Sequence, residues 1–596
     1  MGKLKKILLS VGWFGVFLVY TSANRSPANG YELAVYQATP LLFWVGLGVA
    51  LLTTLCTVLY YRGKTQKMGI IIGILAIFAF ASLPYLRSYF YYGAFDTVNH
   101  LGTVVDFLGG YMGIDVVMYP GLHLYASAIS LLLGFEPRLS LLLIVGICIG
   151  IFVLSVPLVT RFLTQDPEIQ ATSWVTALLL MPIMGVRIPR FEATPTLIAL
   201  MFVPICFLSV LLYFNNRRYA NRIVVLFTFS ALVLFHPQQA VVFISGLFLF
   251  TSYIFFRDHI HTSSIRPNQL ASITLLSSVI LALWLSNQRG FTSAAAGYLE
   301  SLFTSPSASG ATPQSSSVEA VGLTLFQIYT RTLLVETAAA IVVGVVVVAF
   351  LVPQIRPTVP VDNRTFTLTV SMFIPAGFFF VIFLAIGSQS QFLRYVSYLL
   401  VFGTIVLPIG LHWSIGGVFP SQISVILITI VLVFGLFATI PALHPSPFVF
   451  QSNQQLTEGQ MSGYEKTFEH QMDGTSITAL HTSVFRHRNA LYGKAASERG
   501  LHGMTPVMEA IKPLNNHRSY WRNSYVHPHF NDQDLPNGVE RNTYVVVTDS
   551  DYQERVGLYG GLTFTKDDFQ YLDRDPRINK PISNGDAEIY YVHSSY

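Results

Sequence analysis

Apolar runs long enough to cross a bilayer recur through most of this chain, near 41–61, 68–86, 139–160, 194–213, 268–287, 333–353, 366–386, 395–413 and 422–441. About 20 apolar residues in helical form span the hydrocarbon core, where backbone polar groups must be satisfied within the segment. Shorter runs lie near 7–20, 172–186, 223–236 and 240–256. Together they predict about 13 transmembrane helices. The first short run follows Lys3, Lys5 and Lys6, so it reads either as a signal peptide or as an anchor helix. Only 11% of the 596 residues are charged, against about 25% in soluble chains. The three cysteines, Cys56, Cys148 and Cys206, all lie inside apolar runs, so no disulfide framework is available outside the membrane.

Charge divides the chain. Residues 1–444 hold 22 Lys+Arg and 13 Asp+Glu, whereas residues 445–596 hold 14 and 18. The basic residues of the first part sit mainly between apolar runs, as cytoplasmic anchors do, so the positive charge indicates topology and not nucleic acid. Two short basic loops, Arg62–Lys67 and Arg217–Arg222, are assigned to the inside. Counting helices from them puts Arg87–Pro120, His236–Pro237, Arg289–Arg331, Gly387–Arg394 and the tail outside. The count closes if 120–134 is a juxtamembrane or re-entrant helix. It also puts the sequon Asn363–Arg364–Thr365 inside, so no glycan is expected there. The Ser/Pro/Gly/Ala-rich stretch Ser305–Ser317 reads as a lid or as a linker.

The expected fold is thus an α-helical polytopic membrane protein with a C-terminal extracytoplasmic α/β or α+β domain. Three parts are expected: two N-terminal helices (1–67), a transmembrane catalytic module (68–444) with outer loops 87–138 and 288–332, and the tail 445–596. In the tail, Val539–Thr548 and Ala587–Val592 carry strand patterns, while Ser476–Arg486 reads as helical.

Scarce polar residues cluster on the expected outer side. Asp96, His100, Asp106 and Asp115 lie in the first outer loop, and Glu32 is the one acidic residue before them. Carboxylates beside a bilayer are costly to desolvate, so their concentration calls for a cause. Asp96 and His100, four apart, share a helix face. That suits a carboxylate base with an orienting histidine, an incomplete divalent-metal pair (Mg²⁺ or Mn²⁺), or a plain helix N-cap at Asp96. Arg394, followed by Tyr395, opens a late apolar helix on the outer side, where an arginine can grip a phosphate or snorkel to the interface. Further candidates are Arg187, Arg190 and Glu192 at an outer hairpin, with a local salt bridge as the alternative, His236 at a helix break, and His123.

In order and sidedness these pieces resemble the GT-C superfamily of membrane glycosyltransferases, and in particular archaeal dolichyl-phosphate-mannose-type transferases. Asp96 after the helix 68–86 matches that superfamily's acidic residue in the first outer loop. Tyr119–Ser140 loosely matches its juxtamembrane helix, and Arg394–Tyr395 its late Arg–aromatic pair. The resemblance covers roughly 68–440. It departs where the family has two adjacent acids, since Thr97 and Val98 follow Asp96, and Asp115 is then the candidate second carboxylate. The Trp-Trp-Asp run of oligosaccharyltransferases does not occur. The resemblance implies inverting transfer of one sugar from a polyprenyl (dolichyl) phosphate donor to a lipid- or protein-linked glycan, as in glycoprotein or S-layer glycan assembly. Asp96 would act as base and Arg394 would bind the donor phosphate. A lipid-linked sugar transporter or flippase, or a non-catalytic assembly scaffold, are the alternatives.

Overall fold

The computed structural model describes the chain apart from residues 1, 95, 184–190, 217, 261–266, 289–323, 387–388, 481–483, 496–529, 531–534, 540, 561–563 and 596. The Arg187 and Arg190 candidates and the stretch Ser305–Ser317 lie outside the described residues. The membrane part consists of α1 (Gly2–Asn24), α2 (Leu41–Tyr60) and α3 (Lys64–Ala81), then strand β1 (Tyr91–Tyr92), α4 (Asp96–Leu108) and α5 (Gly121–Leu133). It continues through α6 (Pro137–Leu163), α7 (Pro167–Leu178), α8 (Pro195–Asn215), α9 (Tyr219–Phe235), α10 (Pro237–Ile260) and α11 (Pro267–Ser286). It closes with α12 (Leu334–Leu351), α13 (Asn363–Ala385), α14 (Gln389–Gly416) and α15 (Ser421–Leu443).

Among the described residues, ten helices are long and apolar enough to cross a membrane, and α5, α9 and the Leu270–Ser286 part of α11 are shorter apolar helices. Most of the apolar runs seen in the sequence are helices, with two corrections. The 68–86 helix stops at Ala81 and restarts as the short turn Leu83–Leu86. The 172–186 run is helical only to Leu178, with a 3-10 turn at Met181–Ile183 and residues 184–186 outside the described residues. The helix α5, at 13 residues, reaches about 20 Å, short of the roughly 30 Å hydrocarbon core. Several boundaries follow from local chemistry. Helices α6, α7, α8, α10 and α11 open on proline, whose missing N–H costs nothing in a first turn. Asp166 caps α7 through Glu168 N at 2.8 Å, and Asp362 caps α13 through Thr365 N at 2.9 Å. Gly134 ends α5 in the left-handed conformation.

The tail is a mixed α/β layer. Strands β3 (Ser476–Ala479), β4 (Thr543–Thr548), β5 (Ile578–Ser583) and β6 (Ala587–Val592) form one sheet in the order β3-β4-β6-β5. The β3–β4 pair is parallel and the other two are antiparallel. Helices include α16 (Glu458–Glu469), α17 (Val484–Tyr492) and α18 (Lys566–Arg574). The helical expectation for Ser476–Arg486 is corrected here: the first four residues pair with Thr543–Val546 as a fully buried strand, and helix begins at Val484. A buried partner strand overrides a weak helical pattern.

Tail and membrane part are joined at several places. Strand β1 pairs antiparallel with β2 (Gln455–Leu456), Tyr91 opposite Leu456. Helix α17 lies along α4, where Asn489 Nδ2 donates to Asn99 Oδ1 at 3.2 Å. At Gly102 a Cβ would come within 2.1 Å of the Asn489 carbonyl oxygen, so this crossing requires glycine. The loop after α1 is held by a buried fork: Arg87 donates to both Glu32 oxygens at 2.5 and 2.6 Å, Tyr89 Oη also donates to Glu32, and Asn453 Nδ2 reaches the Glu32 carbonyl. His444, just past α15, joins Tyr92 Oη through Nδ1 and the Phe80 carbonyl through Nε2.

Candidate active site

The site is assembled from α4, the segment before α5, the α9–α10 break and the start of α14. Asp96 is the first residue of α4, and its side chain is 77% exposed. Its Oδ1 accepts from Arg486 Nη2 of α17 at 3.0 Å. One turn further, His100 Nδ1 lies 3.0 Å from His123 Nε2 of α5. Burial holds the His100 imidazole down at about 4, partly offset by Asp96, and burial together with His100 holds His123 well below the ordinary range. Both rings are therefore neutral near pH 7, and one N–H donates to the other's lone pair.

Tyr119 links this pair to the rest. Its ring meets His100 edge-on at 6.5 Å and stacks on His236 at 5.6 Å with an interplanar angle of 3°. Burial raises its phenol, and the charges of both Arg394 and Asp96 act on it, with opposite sign. Tyr119 thus bridges His100, one turn along α4 from Asp96, and His236, beside Gln238, the partner of Arg394. Arg394 Nη1 donates to Gln238 Oε1 at 3.2 Å, in the first turn of α10. His236 and Gln239 flank Gln238. Both are buried, and His236 Nδ1 and both amide atoms of Gln239 have no hydrogen-bond partner among the described residues. Unsatisfied buried polar atoms of this kind cost about 1–3 kcal/mol each unless a ligand meets them. With Arg394 and the positive end of a 24-residue helix beside them, the arrangement suits an anion.

The remaining candidates are placed differently. Tyr395 packs between Phe379 and Phe383 of α13, each at 5.4 Å, in the helix seam. Asp106 is buried under the tail, where Oδ2 accepts from Ala495 N at 2.8 Å. Asp115 is exposed in the turn Ile114–Val116. Glu192 is half-buried, and its charge adds to burial in raising the phenol of Tyr91 in β1. Among the described residues no three His, Cys, Asp or Glu side chains group to hold a metal ion. Asp96 and His100 are too few ligands by themselves, with one His100 nitrogen already engaged by His123.

Tyr119, Gln238, Gln239 and Arg486 stand beside these candidates and were not singled out in the sequence. The polar run His236–Gln239 at a helix break carried a usable signal for the glutamines. Nothing local to Arg486 marks it.

No family model matches the chain, and no curated protein matches it. Among solved structures it is similar to the archaeal oligosaccharyltransferase AglB from Archaeoglobus fulgidus, in complex with an inhibitory peptide and a dolichol-phosphate, at 12% identity and a TM-score of 0.47, over 88% of this chain and 74% of that one. It is also similar to ArnT from Cupriavidus metallidurans bound to undecaprenyl phosphate, at 10% identity and a TM-score of 0.45, over 90% of this chain and 99% of that one. The apo state of ArnT gives 9% identity and a TM-score of 0.46, over 88% and 98%. Likenesses at this level identify neither a substrate nor the role of any residue.

Proposed function

We propose that this chain is a glycosyltransferase that moves a single sugar from a polyprenyl phosphate-linked donor to an acceptor hydroxyl at the membrane face carrying the tail. The observation that carries the proposal is the line of contacts that runs from Asp96 and His100 on α4 through Tyr119 and His236 to Gln238 and Arg394. A hydroxyl acceptor needs a base, and a lipid phosphate leaving group needs a fixed positive partner. Asp96 and Arg394, at the two ends of that line, can supply them.

In the proposed step the acceptor oxygen attacks the anomeric carbon. Its proton passes to Asp96, and the bond to the phosphate oxygen breaks with its electron pair staying on the phosphate. Arg394, Gln238 and the start of α10 stabilise that departing charge. Attack opposite the leaving group inverts the anomeric carbon. His100 and His123 hold α4 against α5 and so fix the direction of Asp96, with Arg486 orienting the carboxylate from the tail.

The finer identity follows the sequence resemblance: a dolichyl-phosphate hexose, mannose first among them, as donor, a glycan of a glycoprotein or S-layer as acceptor, and an extracytoplasmic tail. The test is transfer of labelled mannose from dolichyl phosphate mannose in membranes that express the chain. Transfer above that of empty membranes supports the proposal. Its absence with mannose, glucose and N-acetylglucosamine donors alike would favour the transporter or scaffold readings.

A further inference from the structure

A cavity of about 730 Å³ opens where the end of α1, the segment before β1, the start of α6 and the tail meet. It shares no lining residue with the Asp96–Arg394 site. Its size lies within the roughly 300–1,000 Å³ of small-ligand sites. Asn24, Tyr85, Ser88, Glu458 and Asp586 line it, and among the described residues none of these side chains makes a hydrogen bond or ion pair. The Asp586 carboxylate is bared by two glycines. A Cβ at Gly459 would lie 2.4 Å from its Oδ2, and one at Gly30, where φ is 83°, would lie 3.5 Å from its Oδ1. Phe90 adds an aromatic ring to the wall, held by Arg138, whose guanidinium sits 4.4 Å from the ring centroid and donates to the Phe90 carbonyl.

The chemistry of this lining is selective. Carboxylates and a primary amide are planar groups that can each engage two adjacent hydroxyls. Aromatic rings offer a face for the C–H side of a pyranose. Anionic headgroups are disfavoured, because two unpaired carboxylates face the space while Arg138 is already paired with Glu136 at 2.6 Å. An apolar lipid tail would leave five polar side chains without partners. We propose that this cleft docks neutral sugar residues of a glycan, apart from the centre where transfer takes place. As the seat of an acceptor glycan the cleft rests on the glycosyl-transfer proposal; as a sugar-binding cleft it stands without it.

The test is retention of the full chain, in detergent and without donor, on an array of neutral oligosaccharides ending in mannose, glucose, galactose or N-acetylglucosamine. Retention is expected on at least one of them, reduced at least tenfold by Glu458→Gln with Asp586→Asn and also by Asn24→Ala. The first pair is isosteric, and Asn24 and Glu458 are exposed, so these variants fold. Asp96→Asn and Arg394→Ala are expected to bind the array like wild type. The proposal is overturned if no neutral glycan is retained, if the cleft variants bind as well as wild type, or if Asp96→Asn and Arg394→Ala abolish retention while the cleft variants do not. Because no donor is present, a chain that transfers no sugar can still pass this test.

Discussion

Asp96 and Arg486 are 390 positions apart in sequence and 3.0 Å apart in space, the carboxylate at the head of a loop helix and the guanidinium on a helix of the tail. The tail therefore contributes directly to the surroundings of the proposed base. The pair is exposed on the Asp96 side, so its worth to stability is small, under about 1 kcal/mol. Its worth to positioning is larger, since misplacing a reacting group by about 1 Å can cost on the order of 100-fold in rate. Arg486→Ala is expected to lower kcat for transfer by about 10- to 100-fold, with donor KM and thermal stability little changed. Arg486→Lys should recover part of the loss. Steady-state kinetics on purified protein check this.

Gly102 is the point of closest approach between α4 and the tail. A side chain there meets the backbone carbonyl of Asn489, which cannot rotate away as a side-chain tip could. Gly102→Val is expected to destabilise the contact by about 1–3 kcal/mol, the usual cost of overpacking. Limited proteolysis should then cut the tail faster, and transfer should fall with it.

The Glu32–Arg87 fork ties the loop after α1 to the segment leading into β1. Arg87 is 3% exposed and the bond is bidentate. Removing one partner of a buried pair leaves an uncompensated charge, at about 3–5 kcal/mol. Arg87→Ala should therefore lower the melting temperature of the solubilised protein well below that of Arg87→Ala with Glu32→Gln, in which no lone carboxylate remains.

The His100–His123 pair makes a pH prediction. Burial holds His100 at about 4, below its ordinary 6.5, and His123 is displaced in the same direction. Between pH 6.5 and about 4 the unfolded chain binds protons that the folded pair refuses, so unfolding becomes easier as pH falls through that window. Above pH 6.5 the contribution is fully present. Melting curves at pH 7.5, 5.5 and 4.5 should show a shallower decline for His100→Asn than for wild type. Parallel declines would contradict it.

The helical architecture was readable because membrane-spanning helices announce themselves one at a time, through length and apolarity alone. The tail was readable strand by strand where β-branched residues were dense, as in Thr543–Thr548 and Ala587–Val592. It was misread at Ser476–Ala479, a short segment whose state is decided by its partner strand. The candidate residues were readable in part for the same reason. Asp96, His100 and Arg394 stand out as polar residues beside apolar runs. Their neighbours are set by chain crossings: Gln238 meets Arg394 across 156 positions, and Arg486 meets Asp96 across 390. Asp106 and Asp115 look alike in sequence, yet one is buried against Ala495 and the other lies open in a turn. Tyr395 sits next to Arg394 but points into the α13–α14 seam, because adjacent helical residues face about 100° apart.

The central claim is a division of labour, with Arg394 serving the donor phosphate and Asp96 the acceptor proton. It is tested most directly by measuring donor binding and sugar transfer together, using dolichyl phosphate mannose with purified wild type, Asp96→Asn and Arg394→Ala. The account predicts that Asp96→Asn binds the donor like wild type and loses transfer by at least about 100-fold, whereas Arg394→Ala loses both. Full transfer by Asp96→Asn, or unchanged donor binding and transfer by Arg394→Ala, would contradict it.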